Sequence, residues 1–195
     1  MSRSMTILAS AVALVVALTG CTVHSSHGSR VALYDSVREL AADSALVVVG
    51  SVRASQVAND LDGLGSFTLA DFVVDEVVTP ELAGSARPAE APTPTVRPGE
   101  TVTVRQMGDA AGAAPAPFLA EGERYMLFLN PTLLDGPAAD DFYITGVTAG
   151  IYFATPQTLS QDSSGGVFEH HDSRYEGVGD NLPSELSTAD LAALE

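Results

Sequence analysis

Phe67-Thr68-Leu69-Ala70-Asp71-Phe72-Val73-Val74-Asp75-Glu76-Val77-Val78 is the stretch on which the fold turns. Its β-branched and aromatic content reads as one long strand. Phe67 and Leu69 alternate in one phase, then Phe72, Val74 and Val78 in the other. Side chains along a strand repeat with a period of two, so a change of phase needs one extra residue. The spacing predicts a bulge near Ala70-Asp71, the device that bends strands around a small barrel.

The neighbouring segments extend the same reading. Before it, Ala45-Leu46-Val47-Val48-Val49-Gly50-Ser51-Val52 is a continuous apolar run, expected to be a central strand buried on both faces. Asp62-Gly63 supplies the turn between the two. After it, Thr101 to Arg105 alternates as a half-buried strand, and Tyr125 to Leu129 is a strongly apolar strand stopped by Asn130-Pro131. Phe142 to Thr148 and Ile151 to Phe153 form two short strands around Gly150, and Val167-Phe168 is a candidate for a last one. Ser36-Val37-Arg38-Glu39 is a capping box that opens a short helix with Val37, Leu40 and Ala41 on one side. Leu182-Pro183 leads into a C-terminal helix, with a second capping box at Ser187-Thr188-Ala189-Asp190 and a stripe of Leu191 and Leu194. Thr79–Glu100 and Asp109–Pro117 are rich in Pro, Ala and small residues and read as exposed loops. No internal repeat is present. The expectation is a mainly β chain of five to six strands, one bulged, forming a small barrel or sandwich with a short helix at each end.

The N-terminus reads differently. Arg3 is followed by an apolar run from Ile7 to Leu18, too short to span a bilayer as a helix, and the run closes on Leu18-Thr19-Gly20-Cys21. These four residues resemble a bacterial lipobox, where the cysteine is thiol-lipidated and the leader is cut before it. The resemblance implies a signal peptide over 1–20, a lipidated Cys21 and polar tether over 21–30, and one domain over 31–195. Each buried methylene of an acyl chain contributes ~0.8 kcal/mol, and two chains moor a protein stably where one is marginal. The localisation expected is the outer face of the cell membrane. The partner expected there is membrane lipid through Cys21.

Composition narrows the partners further. The chain of 195 residues carries a formal net charge of −16, and losing Arg3 with a leader would make it one unit more negative. Phosphate backbones are repelled by such a body, which excludes nucleic-acid binding, and anionic headgroups oppose it as well. Cys21 is the only cysteine, so no disulfide framework exists and the core must be held by packing. The absence of Lys, with abundant Ala, Gly and Val, resembles the product of a high-GC, actinobacterial genome.

The order of the pieces resembles a group of exported bacterial domains with an OB-like barrel, related to the netrin and metalloprotease-inhibitor modules. The likeness is carried by Asp43 to Val52, Phe72 to Val78, Pro98 to Val104, Glu121 to Leu129 and Gly146 to Tyr152, across residues 36–155. It implies an OB-like barrel and, being mostly strand punctuation, implies fold more than function. Those inhibitors are disulfide-stapled and chelate zinc through a free terminal cysteine amine. Here that position falls to a lipidated Cys21, so inhibition is not implied.

Candidate chemistry is sparse. Glu169-His170-His171-Asp172 is the densest set of metal-ligand types, yet neighbouring strand residues face opposite ways, so His170 and His171 do not readily share an ion. Asp60-Leu61-Asp62-Gly63 is similar to the start of a calcium loop but lacks the downstream ligands, and a hairpin turn is expected instead. Asp140-Asp141 beside Asp135 reads as a solvated acidic loop. No serine lies in a Gly-x-Ser-x-Gly elbow. Tyr125, Phe128, Tyr143, Tyr152 and Phe153 are expected in the core. The reading is thus a non-catalytic envelope lipoprotein without cofactor that contacts a protein or cell-wall partner through the 79–100 and 154–179 loops. The alternative is a metal-binding lipoprotein that uses the Glu169–Asp172 segment.

Overall fold

The computed structural model describes residues 33–78, 94–110, 117–155, 166–171 and 180–194. The 1–20 leader, Cys21 and its tether, residues 79–93, residues 156–165 and Asp172 to Gly179 therefore lie outside the described residues. Helix α1 (Val37–Ala42) begins where Ser36 accepts a hydrogen bond from the Glu39 amide at 3.2 Å. The Glu39 carboxylate reaches back one residue further than a capping box requires and accepts from the Asp35 amide at 2.9 Å. Val37, Leu40 and Ala41 form the buried face, as their spacing predicts.

The strands close a barrel. β1 (Leu46–Ala58) pairs antiparallel with β2 (Phe67–Val77), and β2 pairs antiparallel with β3 (Thr101–Met107). β4 (Arg124–Pro131) returns antiparallel to β1. β5 (Phe142–Ile144) completes the ring, parallel to β3 and antiparallel to β4. The closed order β1-β2-β3-β5-β4 is the OB-like, five-stranded barrel expected from the sequence, with a short helix near each end of the described chain. The sheet then runs on from β4 through β6 (Ile151–Ala154) and β7 (Val167–His170) to β8 (Glu185–Ser187). β8 leads directly into α2 (Thr188–Ala192), whose N-cap Ser187 and Asp190 satisfy each other in a full capping box. The barrel has the five strands expected, and the sheet of the described residues has eight in all; β8 is three residues long and carries no period that a sequence window could register.

Two apolar clusters share the walls of this barrel. Leu46, Val48, Val52, Phe72, Val74, Val104, Leu127 and Leu129 fill the interior. Val47, Val49, Met126, Phe128 and Tyr152 face the other way and pack beneath α1 and α2, against Leu40, Phe168 and Leu191. β1 and β4 are therefore buried on both faces, which explains their continuous apolar runs.

One of the two irregularities lies beside the predicted place, but its extra residue is on the partner strand. β2 and β3 pair in unbroken register from Phe67↔Met107 to Val73↔Thr101, so Ala70-Asp71 carries no bulge. The extra residues are Arg53 on β1, opposite the Phe72–Asp71 step, and Asp75 on β2, opposite the Val49–Gly50 step. Ala70, Phe72 and Val74 keep one inward phase. The apparent phase switch came from Phe67 and Leu69, which lie on the outer face, where Phe67 is buried by a side chain rather than by the interior. Gly50 is required beside the second bulge: a Cβ there would lie 2.1 Å from the Val73 carbonyl and 2.7 Å from the Phe72 ring.

Candidate functional site

The outer wall formed by β2, β3 and β5 carries the densest polar constellation among the described residues. Arg105 follows the inward-facing Val104 and so points outward, yet it is only 2% exposed. Its Nη1 and Nη2 donate to the two carboxylate oxygens of Asp60, both at 2.8 Å, in a bidentate fork. Its Nε and Nη2 donate to Asp141 at 3.1 and 2.7 Å. The guanidinium carbon lies 5.1 Å from the centroid of the Phe67 ring, within cation–π distance. Asp60 belongs to the β1–β2 connection and Asp141 to the β4–β5 connection, so one side chain ties together the two loops that frame this wall.

The electrostatics follow from that geometry. Hydrogen bonding to Arg105 holds the Asp60 carboxyl below its ordinary range, while partial desolvation opposes the shift. Arg105 is pushed above its already high value, first by Asp60 and then by Asp141, against burial. Tyr143, paired with Arg105 across the β3–β5 seam, has its phenol pushed up by burial and pulled back in part by the guanidinium charge. The buried Arg105–Asp141 pair persists because four guanidinium N–H groups are hydrogen-bonded to carboxylates; removing one partner would leave an uncompensated charge.

This placement revises several expectations. Asp60 is a hairpin-loop residue, as expected, but it is an anchor for Arg105 rather than a free turn acid. Asp141 is buried and bonded to the same cation, which corrects its reading as solvated; Asp140 stays exposed. Tyr143 lies on the outer wall and Phe153 lines a cleft, both half-buried, whereas Tyr125, Phe128 and Tyr152 are core residues as expected. Arg105 itself was read only as the end of an alternating strand. The available signal was its rarity: nine basic side chains face 25 acidic ones, so an arginine inside a strand is a candidate for internal pairing.

His170 and His171 are turned apart. His170 is buried, its Nε2 lies 3.1 Å from the Ala149 carbonyl, and its ring stands 4.6 Å from that of Tyr152 under the helix-covered wall. Glu169 and His171 take the opposite face and line a cleft of about 400 Å³ with Phe118, Glu123, Tyr125 and Phe153. Among the described residues no three His, Cys, Asp or Glu side chains converge to hold a metal ion. Of the 79–100 loop, residues 94–100 are described; Val96 packs against the barrel interior, so that end of the loop is anchored rather than wholly exposed. No helix among the described residues is long and apolar enough to cross a membrane. No family model matches the chain, and no characterised protein matches it in sequence.

Proposed function

We propose that the protein is an extracytoplasmic lipoprotein, moored through Cys21, whose barrel is a non-catalytic binding module for an envelope protein or cell-wall partner. The observation that carries the binding reading is the Arg105 clamp, which fixes the two loops flanking the β2-β3-β5 wall with five short contacts to Asp60, Asp141 and Phe67. A rigid wall between two pinned loops is a surface that binds with little ordering cost, and barrels of this topology commonly bind through that face. The entry of the chain is compatible with mooring. The Tyr34 amide donates to Asp180 at 2.8 Å, the Asn181 amide donates to the Tyr34 carbonyl at 2.9 Å, and Tyr34 packs in the cluster beneath the helices. The chain thus enters the described domain on the helix-covered side rather than at the Arg105 wall.

Two measurements test this. A Cys21→Ser chain expressed in its own organism moves from the membrane to the soluble fraction; if it stays with the membrane, the lipid anchor is wrong. A photo-crosslinking residue at Thr103 on the open wall captures a discrete partner, while the same residue at Glu185 on β8 does not. Equal capture from both positions defeats the wall as the binding face.

A further inference from the structure

The cleft beside β7 has a topological cause. β5 closes the barrel onto β3 along the C-terminal half of β4, whereas β6 takes the N-terminal half of the same edge and leads away to β7. Tyr125, Ile151 and Phe153 therefore keep barrel-interior orientation with no β3 opposite them, and Pro117 to Leu119 roofs the gap. The resulting volume of about 400 Å³ is that of a small-ligand site.

Its chemistry is one-sided. Phe118, Tyr125 and Phe153 supply aromatic walls, Glu123, Glu169 and His171 supply the polar rim, and no arginine lines the cleft among the described residues. The Tyr125 phenol is pushed up chiefly by burial and additionally by the negative charge of Glu123, so the acid field reaches into the cleft. Aromatic faces attract cations, and carboxylates form strong charge-assisted bonds with N–H donors. A metal ion fits poorly, since His170 is committed to the core and no three His, Cys, Asp or Glu side chains among the described residues converge to hold one. Glu169 and His171 engage other groups of the chain as well, and a carboxylate has about four acceptor positions to divide.

We propose that this cleft binds an organic ammonium ion, its apolar body against Phe118, Tyr125 and Phe153 and its charged nitrogen against Glu123 and Glu169. The site is separate from the β2-β3-β5 wall and independent of the Cys21 anchor.

Calorimetric titration of the full chain tests the proposal with four probes: 2-phenylethylammonium, its uncharged counterpart 2-phenylethanol, Nα-acetyl-lysine amide and zinc. Saturable binding of the ammonium is expected, with the alcohol weaker by about tenfold or more, since a hydrogen bond to a charged group is worth at least that factor. Glu123→Gln with Glu169→Gln is expected to weaken the ammonium by a similar factor while leaving the thermal melt in place. Tighter binding of the lysine amide supports the chemistry and assigns the ligand to the side chain of a polymer; tighter binding of phenylethylammonium supports it and assigns a free amine. The alcohol comparison needs no variant. Equal affinity for alcohol and ammonium, an unchanged double variant, no saturable heat from either amine, or zinc displacing the ammonium overturns the proposal.

Discussion

The helix-covered wall and the open wall of this barrel solve the same problem in opposite ways. Both must finish an outer face that the interior cannot bury. On β1 and β4, Val47, Val49, Met126 and Phe128 are sealed by Leu40 of α1 and Leu191 of α2. On β2 and β3, Phe67 is sealed by a guanidinium that is itself neutralised by Asp60 and Asp141. The first solution costs little specificity, because apolar side chains pack without fixed partners. The second demands that three residues from three segments meet with correct geometry, and in return it pins loops where a binding surface needs them still.

The largest effect expected from breaking this contrast is in the apolar clusters. Phe128→Ala beneath the helices and Phe72→Ala in the interior should each cost about 3–5 kcal/mol in urea denaturation, because both rings are fully buried. A loss near 1 kcal/mol for Phe128→Ala alone would mean that the helix-covered cluster is an accessory to the barrel and not a second core.

Arg105→Met comes next, at about 3 kcal/mol near neutral pH, since it strands the Asp141 carboxylate, whose side chain is 10% exposed. The pH dependence has a definite sign. Asp60 has a lowered pKa in the folded state, so its contribution is present above the unfolded carboxyl value of about 3.9 and is lost as the pH falls through the lower folded value. The gap between native chain and variant therefore narrows below about pH 4 as Asp60 protonates. A gap that stays constant from pH 7 to pH 3 would show that Arg105 contributes by packing alone.

Smaller effects mark the margins of each wall. Ser187→Ala removes the N-cap of α2 and should cost about 1 kcal/mol. The Arg53–Asp71 pair, at 3.0 Å on the open wall, should show a coupling under about 0.5 kcal/mol in a double-mutant cycle, because Arg53 is 61% exposed. A coupling there as large as the loss at Arg105 would erase the distinction between a buried clamp and a surface pair.

Much of the fold was legible in the chain. The continuous run of β1 announced two-sided burial, the alternation of Thr101 to Val104 announced an inward face, and Ser36 and Ser187 announced both helices. The predicted bulge was put on the wrong strand because an outward Phe67 buried by Arg105 looks, to a period-two reading, like an inward residue. The candidate site was scarcely legible. His170 and His171 advertised chemistry that the strand then divided between core and cleft, while Arg105 advertised none.

Sequence alone determined what depends on near neighbours: strand phase, helix caps and the turn at Asp62-Gly63. Tertiary structure decided what depends on distance. Arg105 meets Asp60 across 45 residues and Asp141 across 36 only because β5 closes the ring onto β3. Local patterns specify which way a side chain points, since that follows from the backbone period. What it points at is set by which strands become neighbours, and that is a property of the closed barrel as a whole.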